Sequence, residues 1–367
     1  MKSKRIMAIV LSGLMAVSLA ACGGSSTTSS AAGTSSGGTD AAADTAAGTE
    51  AGAAAVSGDA ITLQVAFENS ASEPVGEGWK KAQEILAEKS GGTMAIEIYP
   101  DSQLGDKSSL IDSMLLGENV CTLADGAFYA DYGVPDFGIV FGPFLFDSWD
   151  ECWTLTKSDW YKEQCDKLEE KGLKILASNW VYGERHTLTT KPVNTVEDLK
   201  GMKIRVPSNA IQSEGFDVLG ATSTGMALGD VYQALQTKTI DGAENPLATL
   251  YGRKLHEVAP YLILDGHVKN FTTWVCSADW FNSLTAEQQQ WLVETAEEAG
   301  DYNNEVQVEA DKKYLQLMKD EGVTVVEPSE EVLEGFKEKA QPFYDLGSQF
   351  GWSDGLYDTV RKAMGAE

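Results

Sequence analysis

The chain has 367 residues, with 28 Lys and Arg against 55 Asp and Glu, and therefore a formal net charge of −27. This balance argues against nucleic acid and anionic lipid surfaces as partners, because both repel an acidic protein. Hydrophobic residues make up 43% of the chain, which is enough for a globular body and excludes a wholly disordered one.

The N-terminus has the pattern of a bacterial secretion signal. Basic residues in Met1–Arg5 precede an apolar stretch, Ile6–Val17, and small residues then lead to Cys22. The stretch is shorter than the ~20 apolar residues of a spanning helix, so it favours a cleaved signal peptide over a permanent anchor. Leu-Ala-Ala-Cys resembles a lipobox, in which the signal is cut before the cysteine and the cysteine is lipidated. We predict a signal peptide over residues 1–21 and a lipid anchor on Cys22, at the outer face of the cytoplasmic membrane or in the periplasm.

Residues 23–59 consist almost entirely of Gly, Ser, Thr and Ala. Such a segment cannot bury enough apolar surface to offset the loss of chain entropy, so residues 22–59 are predicted to be the lipidated cysteine and a disordered linker. Patterned sequence begins at Ala60, and roughly 300 residues follow, more than a single core usually holds. The body is therefore predicted to have two lobes.

Strands and helices alternate in the first part of the body. The predicted strands are Ile61–Phe67, Met94–Tyr99, Val120–Ala124 and Leu173–Ser178. The predicted helices are Trp79–Lys89, Ser108–Leu116 and a long helix over about Trp149–Glu170. This alternation predicts an α/β fold in which helices cover both faces of a sheet.

The pattern restarts after Gly183. Thr195 is expected to cap a short helix with Asp198 three residues on, and Asn245 to cap another with Pro246 in its first turn. The other predicted elements are strands Lys203–Val206, Leu262–Leu264 and Thr272–Cys276 and helices Ala210–Leu219, Asp230–Lys238 and Ala286–Glu321. The last helix is long enough to cross both lobes. We predict lobe I over residues 60–182 and 271–300, and lobe II over 183–270 and 301–367.

Four cysteines fall in the body: Cys121, Cys152, Cys165 and Cys276. They show no C-x-x-C or metal-type spacing, and disulfide connectivity cannot be read from a sequence. We expect buried free thiols or at most one disulfide.

The usual motifs of catalysis and of cofactor or metal binding are absent from the sequence. No G-x-S-x-G or G-x-G-x-x-G occurs, and Gly220–Gly225 has P-loop spacing but is followed by Met226 where a lysine is needed. His256 and Glu257 begin like a zinc-protease helix, but Pro260 occupies the position of the second histidine. No catalytic residue, metal or cofactor is predicted.

Two arginines lie where an α/β protein presents its loops. Arg205 is near the end of a predicted strand, Arg185 follows a turn, and Asn245 is expected nearby. A guanidinium binds a carboxylate through two parallel charge-assisted bonds, which a lysine cannot reproduce. The three residues could form a carboxylate clamp, and ordinary ion pairs with neighbouring acids are the alternative.

Six segments resemble the TRAP-transporter solute-binding protein family, the receptors of tripartite ATP-independent transporters, and they occur in the family's order. They are Glu88–Gly92, Tyr99–Gly105, Gly142–Phe146, Leu199–Pro207, Val231–Thr237 and Asp241–Pro246. The resemblance spans essentially the whole body. It implies a two-lobe periplasmic-binding-protein-like fold with a hinge and a central cleft, a role in transport rather than catalysis, and the small and large TRAP membrane subunits as partners.

The resemblance also implies a binding site for a small organic acid. Arg205 would bind the substrate carboxylate bidentately, and Arg185 and Asn245 would complete the grip. Glu68, Lys107 and Asp125 fall where family members contact the rest of the ligand.

Glu68 and Lys107 depart from the sialic-acid receptors of the family, where an amide and an acid are usual, and Leu228 stands where an aromatic residue often packs. Two carboxylates and an ammonium favour a hydroxylated acid such as a uronate. The alternative is that Glu68 and Lys107 pair with each other.

Other functions stay open from the residues alone. Glu68 and Asp125 could be the paired carboxylates of an extracellular carbohydrate-active hydrolase, and a receptor could serve a sensor kinase or an ATP-driven importer. Five aromatic residues could form a wall of the cleft, although core packing is more usual for such side chains. They are Trp79, Trp180, Tyr182, Phe271 and Trp274.

Overall fold

The computed structural model describes residues 60–366. The predicted signal peptide, the lipidation site Cys22 and the linker lie outside the described residues. Between residues 60 and 366, no helix combines the length and the apolar character needed to cross a membrane.

Nine strands in the described part of the chain form one mixed sheet, in the order β2-β1-β3-β8-β4-β7-β5-β6, with β9 added against β8. The strands are β1 (Ile61–Ala66), β2 (Met94–Tyr99), β3 (Val120–Ala124), β4 (Leu173–Thr189), β5 (Lys203–Val206), β6 (Thr222–Gly225), β7 (Gly242–Pro246), β8 (Tyr261–Ser277) and β9 (Thr324–Val326).

Helices connect the strands. The α-helices are α1 (Pro74–Lys89), α2 (Lys107–Leu115), α3 (Gly126–Asp131), α4 (Trp149–Thr156), α5 (Asp159–Glu170), α6 (Ala210–Val218), α7 (Val231–Gln236), α8 (Leu247–Gly252), α9 (Ala278–Ser283), α10 (Ala286–Asp320), α11 (Glu330–Ala340), α12 (Gly347–Phe350) and α13 (Leu356–Ala363). Short 3₁₀ helices cover Pro135–Phe141, Val196–Leu199, Leu228–Asp230, Leu255–Glu257 and Gln341–Leu346.

The two long strands, β4 and β8, form an antiparallel ribbon that serves both lobes. At one end of the ribbon, β3 pairs with β8, and β1 and β2 continue the sheet. At the other end, β7 pairs with β4, β5 and β6 continue outward, and β9 pairs with β8. We call these groups the first and second lobes. The two-lobe α/β fold predicted from the sequence is confirmed.

The ribbon changes register where it passes between the lobes, with irregularities between Ile175 and Thr187. Such bulges bend and twist strands. Gly183 lies in this crossing with a φ of +133°, and a Cβ there would lie 2.6 Å from the Cβ of Pro246. The close approach of β4 to the end of β7 therefore requires glycine at this position.

Helix α10 crosses both lobes, as predicted. It begins with a capping box between Thr285 and Gln288. Its first half packs Leu292 into the first-lobe core, and its second half packs Met318 into the second-lobe core.

The predicted aromatic residues divide between core and cleft. Trp79 stacks on Trp274 with ring centroids 4.4 Å apart and contacts Trp180 at 5.2 Å, and all three are fully buried. Phe271 is buried beside Phe146. These four side chains are core residues, and Tyr182 is the member of the set that reaches the cleft.

Three predicted element boundaries were wrong. The helix expected over Trp149–Glu170 is two helices, because the Ser158 side chain accepts a bond from the backbone of Tyr161 and starts α5. The two short strands expected near Leu262 and Thr272 are one strand, β8. Asn245 caps no helix, because it lies within β7 and Pro246 is the N-cap of α8.

The end of the chain, which includes α13, packs on first-lobe helices, whereas α11 packs on the second lobe. Phe343 and Val360 share a core with Cys152 and Leu155 of α4 and with Leu168 of α5. This packing favours assigning the last helices to the first lobe, whereas the sequence-based boundaries, which stay a prediction, put residues 301–367 in the second. The four body cysteines are free thiols, with Cys165 partly exposed and the others buried.

Candidate functional site

A cavity of about 380 Å³ contains all six residues that the sequence singled out. Glu68, Lys107 and Asp125 come from the first lobe, while Arg205 and Asn245 come from strands β5 and β7 of the second. Arg185 lies on β4, within the ribbon. The remaining lining residues are Phe128, Tyr182, Pro207, Gln212, Leu228, Asn270 and Thr272.

Arg205 is a buried cation without a carboxylate partner. Strand β5 pairs it with Ala243 of β7 on one side and Thr224 of β6 on the other, so its side chain is only 2% exposed. Nε and Nη2 both donate to the carbonyl oxygen of Met226, at 2.9 and 2.7 Å. Within residues 60–366, no carboxylate lies within ion-pair distance and Nη1 has no hydrogen-bond partner.

Burial lowers the pKa of Arg205 to about 10, with Glu68 opposing the shift. The guanidinium therefore stays protonated at neutral pH. A buried charge without a counter-ion is costly, and an anion entering the cavity would remove that cost.

Arg185, unlike Arg205, forms an ion pair with a carboxylate of the protein. Its Nε and Nη2 bind the two carboxylate oxygens of Glu244 at 2.5 and 2.7 Å, and its Nη1 donates to Oδ1 of Asn270 at 3.0 Å. The guanidinium carbon also lies 5.3 Å from the ring centre of Phe141. Most N–H donors of Arg185 are therefore used within the protein, as the ion-pair alternative considered from the sequence predicts. One Nη1 hydrogen remains for a ligand.

Glu244 belongs to a buried chain of charges behind the cavity. His267 lies 3.1 Å from both Glu244 and Asp265, and Asp265 accepts bonds from the backbone and hydroxyl of Thr187. Burial alone would raise the pKa of Glu244, but Arg185 and His267 outweigh it and lower the pKa to about 2. Burial alone would lower the pKa of His267, but Asp265 and Glu244 raise it to about 9.

Asn245 offers an unused amide. It is 3% exposed on β7, in register with His186 of β4. No hydrogen bond links its side chain to any other described residue. A buried amide in a polar cavity is normally hydrogen-bonded, so Asn245 is suited to contact a ligand.

The first-lobe wall carries opposite charges. Asp125 is the N-cap of α3, and its Oδ1 accepts from the backbone of Ala127 at 3.1 Å. Burial raises the pKa of Asp125 against the opposing charges of Lys107 and Arg185. The ammonium of Lys107 lies 5.0 Å from the ring centre of Phe128.

Glu68 and Lys107 do not pair with each other, which removes the alternative considered from the sequence. Instead, Glu68 Oε1 accepts from the backbone of Leu228, across the cleft, at 3.4 Å. Both charged groups are therefore available to a ligand.

Four polar lining residues were not predicted: Gln212, Asn270, Thr272 and, as a polar contact, Tyr182. Asn270 and Thr272 lie in the middle of β8, for which two separate short strands were predicted from the sequence. Recognising the continuous strand would have placed Asn270 opposite Gly183 and Thr272 opposite Trp180, on the ribbon that carries Arg185. Gln212 is in the first turn of the helix after Arg205, and that position was its available signal.

Comparison with known proteins identifies the family. The model of bacterial extracellular solute-binding protein family 7 matches residues 65–349. The sialic acid-binding periplasmic protein SiaP of Vibrio cholerae is 30% identical over 298 residues, covering 80% of this chain and 90% of its own.

Two solved structures are similar over the same body. A TRAP periplasmic solute-binding protein from Ochrobacterium anthropi, with bound L-fuconate, has 38% identity and a TM-score of 0.79, covering 83% of this chain and 99% of that one. A second, from Actinobacillus succinogenes with bound L-galactonate, has 33% identity and a TM-score of 0.80, with the same coverage.

The chain therefore belongs to family 7 of the bacterial extracellular solute-binding proteins, the receptors of TRAP transporters. The family predicted from the six segments is confirmed, and a binding protein is favoured over a hydrolase.

Proposed function

We propose that this protein captures a sugar acid such as a uronate in the cleft between its lobes and delivers it to the small and large membrane subunits of a TRAP transporter. The observation that carries the proposal is the buried guanidinium of Arg205, for which residues 60–366 provide no carboxylate. A ligand carboxylate can supply the missing counter-ion. Asn245 and the remaining Nη1 hydrogen of Arg185 can bind the same group.

The other end of the ligand would meet the first-lobe wall. Lys107 can donate to hydroxyl oxygens, while Asp125 and Glu68 can accept from hydroxyl hydrogens. A chain of hydroxyls satisfies all three groups, whereas a second carboxylate would face two acids. The sugar acids bound by the two similar structures support this class of ligand.

Binding would act through closure of the lobes. Arg205 and Asn245 lie on second-lobe strands, whereas Lys107 and Asp125 belong to the first lobe. A ligand that contacts both sides stabilises the closed form and shifts the population toward it. The ligand is released unchanged, so the protein has no enzymatic activity in this proposal.

The N-terminus would hold the receptor at the membrane through a lipid on Cys22, after removal of residues 1–21. The support is the Leu-Ala-Ala-Cys sequence and the Gly- and Ser-rich segment after it. Mass spectrometry of the protein from its native membrane tests this proposal. A mature chain starting at a diacylated or triacylated Cys22 is expected, and an unmodified cysteine or an upstream start would contradict it.

A calorimetric and thermal-shift screen tests the ligand class. The body from Ala60 onward should be titrated with galacturonate, L-galactonate, L-fuconate and succinate. A sugar acid at a hundred times its dissociation constant should stabilise the protein by about 2.7 kcal/mol. Tighter binding of succinate, or turnover of a glycoside, would contradict the proposal.

A further inference from the structure

A buried carboxylate outside the cleft, that of Glu73, lies where the two lobes meet. Glu73 is the N-cap residue of α1 and is 1% exposed. One carboxylate oxygen, Oε1, accepts from the backbone of Ser70 at 2.9 Å. The other, Oε2, accepts from the amide of Asn69 at 2.7 Å and from the hydroxyl of Thr249 at 2.8 Å.

Thr249 makes this cluster a link between the lobes. It is buried in α8, directly after β7 of the second lobe, whereas Glu73 follows β1 of the first. The backbone of Gly252 in α8 approaches so closely that a Cβ there would lie 2.7 Å from Oε1 of Glu73. Arg253 adds a bond to Asp101 at 3.0 Å.

Asn69 connects the same cluster to the cleft. Its side-chain nitrogen lies 2.8 Å from the phenol oxygen of Tyr182, which lines the cavity. The hydroxyl oxygen of Thr249, whose own hydrogen is donated to Glu73, lies 3.5 Å from the phenol oxygen, which is too long to hold the phenol hydrogen firmly. The phenol oxygen is thus occupied by Asn69, and its hydrogen is left for a ligand.

We propose that Glu73 is a positioning residue that fixes Tyr182 through Asn69 and ties the lobes through Thr249, so that its protonation controls closure and ligand affinity. This inference rests on the proposed function, because it concerns the ligand of the same cleft.

The pH dependence follows from burial. Burial raises the pKa of Glu73 from an ordinary 4.5 to about 7, against the bonds from Asn69, Ser70 and Thr249 and the charge of Arg253. The other titratable groups facing it are the phenols of Tyr182 on β4 and Tyr314 on α10. If opening of the lobes exposes Glu73 to water, its pKa in the open form returns to about 4.5. Between pH 4.5 and 7, closure is then accompanied by the uptake of a proton on Glu73. Acid therefore favours closure, and affinity should rise on the order of tenfold from pH 8 to pH 6.

The test is calorimetry with L-galactonate at pH 6, 7 and 8. Asp125 also has a raised pKa, so the decisive comparison is between wild type and Glu73→Gln rather than the wild-type slope alone. Glu73→Gln, which is uncharged at every pH like the protonated acid, should lose most of the pH dependence and bind at least tenfold more tightly than wild type at pH 8. The matched control is Glu77→Gln, one turn further along α1 and exposed, which should behave as wild type. Equal affinities and pH profiles for the two variants would overturn the proposal.

A ligand-free measurement separates this inference from the ligand class. Unfolding of wild type, Glu73→Gln, Thr249→Val and the double variant forms a double-mutant cycle, with Thr249→Ser as the conservative rescue. Non-additive losses, recovered by serine, would uphold the tie between the lobes even if no sugar acid binds. Additive losses would overturn it, whatever the ligand.

Discussion

The guanidinium of Arg205 binds one carbonyl oxygen, that of Met226, through two of its nitrogens, and it meets no carboxylate among residues 60–366. Arg185, equally buried a short distance away, binds both oxygens of Glu244. One arginine is neutralised by the protein and the other is not. This difference supports the proposal that Arg205 binds the carboxylate of the ligand.

Removing the unpaired charge should not destabilise the empty protein. Relief from burying a cation is worth several kcal/mol, whereas the lost bond to the Met226 carbonyl costs roughly 1 to 3 kcal/mol. Arg205→Met is therefore expected to unfold in urea at least as late as wild type in the absence of ligand. A loss of more than about 2 kcal/mol in the free energy of unfolding would mean that Arg205 has a mainly structural role.

Removing the charge of Glu244 should, in contrast, destabilise the empty protein. Glu244→Gln leaves Arg185 and His267 buried without their shared carboxylate, and breaking a buried pair in this way typically costs roughly 3 to 5 kcal/mol. The matched control is Glu184→Gln, which breaks a partly exposed pair with Lys269 worth at most about 1 kcal/mol. Urea unfolding of both variants measures the difference, and equal losses would contradict a structural role for the Glu244 chain of charges.

His267 should make stability depend on pH in the alkaline range. Its pKa is raised to about 9 in the folded protein, from an ordinary 6.5. Its contribution is complete below pH 6.5 and disappears as the pH rises through 9, a loss of roughly 3 kcal/mol. His267→Asn should flatten this decline. His186→Asn should leave the decline in place, because burial lowers the pKa of His186. An unchanged slope in His267→Asn would contradict the assignment.

Lys107 should discriminate among ligands. Lys107→Met keeps packing against Phe128 but removes the ammonium, so we expect a loss of about 10-fold or more in affinity for L-galactonate. The matched control is Lys80→Met, at an exposed position on α1. Calorimetry with L-galactonate and succinate measures both variants. If wild type prefers succinate and Lys107→Met loses that preference, Lys107 binds a second carboxylate instead of hydroxyls.

Local pattern predicted most of the fold. The strand at Met94–Tyr99 and the long helix after Thr285 have clear periodicity and capping signals, and both lie where expected. The continuity of β8 was not predictable locally, because its pairing with β4 crosses the lobes and depends on tertiary contacts.

The site was predictable only through resemblance. The sequence spacing between Arg205 and Arg185 carries no sign that Glu244 would neutralise one of them, since that depends on strands β4 and β7 being neighbours. In the sequence, Glu73 and Asn69 have the pattern of an ordinary helix N-terminus. Their contact with Thr249, 176 residues away from Glu73, appears only in three dimensions.

Titration of L-galactonate or galacturonate into folded Arg205→Ala is the experiment that tests the role of Arg205 as the carboxylate anchor. Losing one partner of a buried charge pair typically costs roughly 2 to 5 kcal/mol, so affinity should fall by roughly 30-fold to several thousand-fold. Arg205→Lys should also bind weakly, because the charge remains but the two-bond geometry is lost. The matched control is Arg361→Ala, which removes another arginine bonded to a backbone carbonyl, that of Leu145, away from the cleft. Near-wild-type affinity in Arg205→Ala would contradict the assignment and leave Arg205 a structural residue.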